Sequence, residues 1–346
     1  MVDPSHQSRT GGATDGVKVL FLAGKGRSGG TLLANLLGQV PGFFNVGELN
    51  RLWDWGLVHN YSCGCGVPVR ECATWLAIFD RADALLGESP LVPLADARID
   101  LDQAAVVRWP RVVRLFRARL DTRDRWKALE RYTTATSAVY RSIAEVTGAR
   151  VVVDSSRLPI EPVGLGLVPH VDVRIGQLVR DPRAVVYSWK RKKVFTDRDS
   201  IEHMPKFSAS FSTASWLTRN VVVELLRRRR PALTVQYDEL ARHPSTVLRQ
   251  LAELVGAPAG DLKFLASEAA TLVPTHSVGG NPIRMISGAV SITPDDEWRH
   301  AISGRDRWVT TALALPLLHR YGFPLRSSER AAPEAAPPER SLDRVE

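Results

Sequence analysis

The stretch "VKVLFLAGKGRSGGTLLANLL", Val17 to Leu37, constrains this chain more than any other: an apolar run, a turn of glycine and small residues, and the start of an apolar helix. Such a turn binds an anion through its backbone N–H groups and the positive end of the helix that follows. The phosphate-loop pattern G-x-x-x-x-G-K-[ST] is met at Gly24, Gly29 and Thr31, while Gly30 stands where the lysine belongs. Anion binding survives this departure because the backbone donors do not depend on a lysine. The identity of the anion becomes the question.

Other short apolar runs follow, "RVVVD" at 150–154, "VRIGQLV" at 173–179 and "ALTVQY" at 232–237. Their brevity and valine content suit parallel strands buried on both faces. Helical patterns at 31–38, 182–193, 207–230 and 245–256 separate them. Strands alternating with helices predict a layered α/β fold that binds ligands at the carboxyl ends of its strands. Residues 53–149, rich in Arg, Trp and Leu at helical spacing, predict a mainly helical insertion. The polar, Pro/Gly/Ala-rich segments 1–16 and 326–346 read as disordered tails, which leaves 17–325 as one domain. With 346 residues, 44% of them hydrophobic, the chain can bury a large core.

The formal net charge is +9; residues 1–16 contribute −1 and residues 327–346 contribute −2, so the rest of the chain carries about +12. A basic body suits an anionic ligand, although nucleic acid or anionic lipid would satisfy the charge equally. The runs "KRKK" (190–193) and "RRRR" (227–230) close expected helices, where cations favour the helix dipole, so they read as solvated helix ends. The first apolar run is too short to span a membrane, and a cytoplasmic protein without a membrane partner is expected. Cys63, Cys65 and Cys72 all lie in "CGCGVPVREC". His59 could complete a zinc site with them, but C-x-C is tighter than the usual spacing, and the expectation is a turn of small thiols without metal.

In "QLVRDPRAVVYSWKRKK", Gln177 to Lys193, Arg180 ends an expected strand, Pro182 suits the first residue of a helix, and Ser188 falls two turns later. An arginine at this edge can grip a phosphate in bidentate fashion while the serine adds a donor, giving a second anion site. Equally, Arg180 and Asp181 could simply pair and cap the helix.

"GRSGGT" together with "VRDPRAVVYS" resembles the sulfotransferases that use 3′-phosphoadenosine 5′-phosphosulfate (PAPS). Further stretches, "FNVGELNRLW", "CGCGVPVRECATW", "QYDELARHP" and "HSVGGNPIRMISG", look like bacterial members acting on small molecules or sugars. The resemblance implies a P-loop NTPase-like three-layer α/β fold with a central parallel sheet. It implies PAPS as co-substrate and a small-molecule or carbohydrate acceptor. Gly26, Arg27, Ser28, Gly29, Gly30 and Thr31 would hold the 5′-phosphosulfate, and Arg180 with Ser188 the 3′-phosphate. Asn281 and Arg284 would belong to a late loop closing on the nucleotide. Arg27 would stabilise the departing oxygen, with Lys25 a weaker second cation whose default is to point to water. Glu48 would take the acceptor's proton, or else only begin the helix carrying Trp53 and Trp55; those tryptophans read as packing before acceptor stacking.

A transferring sulfuryl group carries less charge than a phosphoryl group, so no metal is expected. Asp154 would be the Mg²⁺ carboxylate of a rival reading, a P-loop kinase or NTPase. The resemblance instead implies that "DSSR" brings Arg157 near the transferred group or the acceptor. Asp154 and His276 are the next candidates for a base. A third reading is a non-catalytic binder of nucleotide or, less expected, nucleic acid.

Overall fold

Five valine- and leucine-rich segments form one parallel sheet: β1 (Val17–Ala23), β2 (Phe43–Gly47), β3 (Val151–Asp154), β4 (Val171–Val179) and β5 (Ala232–Gln236), in the order β2-β3-β1-β4-β5. The computed structural model describes residues 16–119, 124–156, 161–191, 194–195, 202–203, 206–266 and 268–325. The expected tails, apart from Gly16, and Arg157 lie outside the described residues.

Period-two alternation along β1 divides the core between two faces. Val19, Phe21 and Ala23 join a cluster with Trp75 and Ile78 of α2 (Ala73–Leu86) and Tyr140 and Ile143 of α3 (Lys127–Thr147). Leu20 and Leu22 face the opposite cluster. It holds Leu33, Leu36 and Leu37 of α1 (Gly30–Leu37), and Leu248 and Leu251 from a later helix near the end of the sheet. Each such side chain, fully withdrawn from water, contributes about 1.5–3 kcal/mol. Helices on both faces of a parallel sheet, with the glycine loop after β1, make this the three-layer, P-loop-like α/β fold. Further along the chain come α4 (Pro182–Lys190), α5 (Ala209–Leu226), α6 (Pro244–Leu254), which carries the Leu248 and Leu251 just described, and α7 (Gly304–Arg320).

The structure adds a strand to those expected. β2 is five residues long and bulged between Asn45 and Gly47, with the Asn45 side chain folded back to accept the Gly47 N–H at 2.9 Å. The segment around Val278 lies along its outer edge in a single parallel bridge to Gly47. Val278 donates its N–H to Val46 and accepts from Glu48, each at 2.8 Å. A late hairpin pairs β6 (Ala269–Leu272) with β7 (Gly288–Ser291).

The arginine run after α5 is not merely solvated. Arg229 donates to the Phe116 carbonyl at 3.0 Å and Arg230 to that of Gly166 at 3.2 Å, tying the helix end to the short helix Val112–Arg117 and to the turn that follows Glu161–Leu165. Among the described residues no helix is long and apolar enough to cross a membrane.

Candidate active site

Between β1 and α1 the chain turns through Gly24 to Gly29, at the carboxyl end of the central strand. Arg27 adopts φ 76° and Gly29 φ 90°. A left-handed arginine costs on the order of 1–3 kcal/mol, and strain of this kind concentrates where a loop is shaped for a ligand. At Gly29 the neighbours as well as the backbone demand glycine, because a Cβ there would lie 2.5 Å from the Tyr237 ring. Ser28 is buried, and its Oγ has no hydrogen-bond partner among the described residues. A hydroxyl desolvated without a partner is costly unless a ligand completes it.

Trp189, near the end of α4, fixes the loop by donating its indole N–H to the Gly26 carbonyl at 3.1 Å. Its ring lies 5.1 Å from both the Lys25 ammonium and the Arg27 guanidinium. Lys25 does not point to water as expected. It is 6% exposed, donates to Ser215 Oγ at 3.1 Å and sits 5.5 Å from the Phe207 ring. Burial, and secondarily the nearby Arg219 charge, bring its pKa down to about 8. It therefore remains a cation near neutral pH, in a low-dielectric setting where a cation attracts an anion more strongly.

Arg180 follows β4 and is buried against the same loop. It donates to the Arg27 carbonyl at 3.2 Å, pairs with Asp295 at 2.8 Å and lies 4.3 Å above the Tyr237 ring. The alternative pairing with Asp181 is not formed. Asp181 caps α4 through the Arg183 N–H at 2.9 Å and pairs with the fully buried Arg183 side chain at 2.6 Å. Arg180 is thereby left for the loop. Ser188 is half-buried on the last turn of α4, one residue before Trp189.

Glu48 follows β2, two strands away from β1 and so about 10 Å along the sheet edge. Its carboxylate is within 3.9 Å of Arg51, which stacks 4.6 Å from the Trp55 ring. Gly279 and Gly280 form its outer wall: a Cβ on Gly280 would come to 3.2 Å from Glu48 Oε1. Trp53 is core, whereas Trp55 is half-buried and lies edge-on to Tyr61. Asn281 caps the short turn Pro282–Met285 by accepting the Ile283 N–H at 3.2 Å. The buried Arg284 runs to the Ser62 carbonyl at 2.8 Å. The expected residues thus fall into two groups, Gly26–Thr31 with Arg180 and α4, and Glu48 beside the Gly279–Gly280 stretch that leads into Asn281, while Arg284 turns to Ser62 and its own turn is tied to α1 by Asn35, which donates to the Ile283 carbonyl at 3.2 Å.

β3 ends between these groups. Asp154 is fully buried, accepting from Tyr140 at 2.6 Å on one oxygen and from Ser156 N–H and Oγ, at 2.8 and 2.5 Å, on the other. Burial raises its pKa. Ser156 Oγ in turn accepts the Asn50 N–H at 3.0 Å. With both oxygens occupied, Asp154 is a brace for the Glu48 segment and a poor metal carboxylate or base. Glu161, unsuspected from sequence, is buried nearby, and burial followed by the Asp154 charge raises its carboxyl well above the ordinary range. Trp189, Tyr237 and Asp295 also escaped prediction. Tyr237 lies within "QYDEL", where spacing alone gives no sign of its contact with the glycine loop.

The solved sulfotransferase domain of the Synechococcus PCC 7002 olefin synthase is similar at 19% identity and TM-score 0.45, covering 90% of this chain and 98% of that one. The sulfotransferase domain from the curacin biosynthetic pathway is similar at 17% and 0.42, covering 87% and 97%. Sulfotransferase STF9 from Mycobacterium avium is similar at 15% and 0.44, covering 90% and 78%. Among curated proteins none matches the chain. A family model described as the sulfotransferase family matches residues 20–261. That match spans the glycine loop, Glu48, the Arg180–Ser188 helix and Tyr237, and on it the chain belongs to the sulfotransferase family.

Proposed function

We propose that this protein transfers a sulfuryl group from PAPS to a hydroxyl of a small-molecule or carbohydrate acceptor. The observation that carries the reading is the loop after β1: Arg27 is strained, the buried Ser28 hydroxyl has no partner among the described residues, and two buried cations adjoin them, Lys25 from the loop itself and Arg180 through the Arg27 carbonyl. PAPS, when bound, supplies an activated sulfuryl group on a phosphate leaving group. The loop N–H groups and Ser28 then donate to an anion, and Arg27 offsets charge developing on the leaving oxygen. Arg180 and Ser188 recognise the 3′-phosphate, a role in which a guanidinium fork outperforms an ammonium. Glu48 accepts the proton of the acceptor hydroxyl, with Arg51 and the Gly279–Gly280 wall holding its carboxylate.

Calorimetry with adenosine 3′,5′-bisphosphate, ADP and ATP tests the donor site. The bisphosphate binds most tightly, and Arg180→Ala abolishes the preference. Equal affinities, or a preference indifferent to Arg180→Ala, refute the reading. A panel of hydroxylated metabolites offered with labelled PAPS then identifies the acceptor.

A further inference from the structure

Away from the glycine loop, three cysteines and a histidine converge from opposite ends of the sequence. Cys63, Cys65, Cys72 and His276 present ligand atoms that all lie within 4.8 Å of one another. We propose that they form a structural zinc site, Cys₃His, which staples the cysteine loop to the late segment walling Glu48.

Three of the six ligand-to-ligand separations are close to the edges of a tetrahedral site. Zinc bonds of about 2.3 Å to sulfur and about 2.0–2.1 Å to nitrogen give tetrahedron edges of about 3.8 Å between sulfurs and about 3.5 Å from sulfur to nitrogen. The Cys65 and Cys72 sulfurs are 3.8 Å apart, and His276 Nδ1 is 3.8 Å from Cys63 Sγ and 3.3 Å from Cys72 Sγ. The imidazole is oriented as a metal-binding one needs to be. Thr74 Oγ1 lies 3.2 Å from Nε2, where it can accept the N–H of the Nε2-protonated tautomer, the one whose Nδ1 lone pair faces the sulfurs. Trp75 donates its indole N–H to the His276 carbonyl at 3.0 Å. Three sulfurs and one imidazole select zinc over the oxygen-loving cations, and four protein ligands leave no open position for catalysis. His59, the local candidate, is instead engaged with Asp54, 3.1 Å from its carbonyl and 3.0 Å from its carboxylate.

The backbone prepares the same junction. Gly64 donates to the Ser277 carbonyl at 2.8 Å, and a Cβ on Gly64 would lie 2.3 Å from the Thr275 carbonyl. Two residues past His276, Val278 carries the hydrogen bonds to Val46 and Glu48. Each ligating thiol releases its proton on binding, so affinity rises with pH.

Metal analysis of the full-length protein, purified without chelator from zinc-supplemented cells, reads the site directly. We expect about one zinc per chain. Cobalt exchanged into the site should give the intense visible bands of a tetrahedral ion and a thiolate charge-transfer band. His276→Asn and Cys72→Ser should abolish both. Thr74→Val retains all four ligands and should weaken zinc about 10- to 100-fold while leaving the fold intact. A chain without bound metal, iron in place of zinc, a Cys65–Cys72 disulfide in a non-reducing peptide map, or unchanged zinc affinity in Thr74→Val would each overturn the proposal. None of these measurements depends on sulfotransfer.

Discussion

Arg180 is already paired before any ligand arrives, and Asp295 is the residue to change. Asp295→Asn keeps the size and the hydrogen-bond acceptor of the side chain but removes the negative charge facing the proposed 3′-phosphate site. Two unit charges about 4 Å apart interact by about 4 kcal/mol at an effective dielectric of about 20. The Asp295 side chain is 35% exposed, however, and Arg180 6%. Partly exposed pairs deliver far less, about 0.2–1 kcal/mol, so the upper end of that range is the appropriate figure. A bisphosphate that no longer competes with a carboxylate for Arg180 should bind about fivefold more tightly, the equivalent of about 1 kcal/mol. Calorimetric titration of wild type and variant with adenosine 3′,5′-bisphosphate measures this, and ADP, which lacks the 3′-phosphate, serves as control with a change under about twofold. Equal gains for both nucleotides would show only a general charge effect, and weaker bisphosphate binding would show that Asp295 positions Arg180. Either result refutes the competition argument.

Glu48→Gln should lower single-turnover sulfation by about 10²- to 10⁴-fold at saturating PAPS, with bisphosphate binding nearly unchanged; a near-normal rate removes Glu48 as the base. Glu161 gives a pH signature in stability. Its pKa is raised in the folded state, so the neutral acid is tolerated at low pH and stability is lost as pH rises from the unfolded value near 4.5 through the folded one. Thermal melts should therefore show Glu161→Gln gaining on wild type as pH increases, and a stability difference constant from about pH 4.5 to pH 8 would refute it.

What could be read from sequence was what is local in it. β1, its glycine turn and α1 occupy adjacent residues, as do β4, Arg180 and α4, so periodicity and turn chemistry suffice to find them. β2 escaped because a five-residue strand bulged at Asn45 lacks a clean alternation. The choice between Arg180–Asp181 and Arg180–ligand could not be made from spacing, since it is decided by Arg183 turning back onto Asp181 from the first turn of α4. Asp295 reaches Arg180 across 115 residues, and His276 reaches Cys72 across 204. No sequence window contains such pairs. Lys25 reads as a surface lysine until Trp189 and Phe207 are seen to cover it.

The segment that borders β2 and walls Glu48 lies beyond residue 261, where the family match ends. A ribosome therefore delivers all five sheet strands by Gln236, but Gly280 and Asp295 arrive only later. At about 5–20 residues per second the sheet could be assembled for roughly 3–12 seconds before its site is complete. Until Val278 emerges, β2 would present its outer edge without that partner, the kind of surface that recruits another nascent strand. The arrival of Val278 would end the exposure. Completion of the candidate site and cover for the β2 edge would thus both come from the same late stretch of chain.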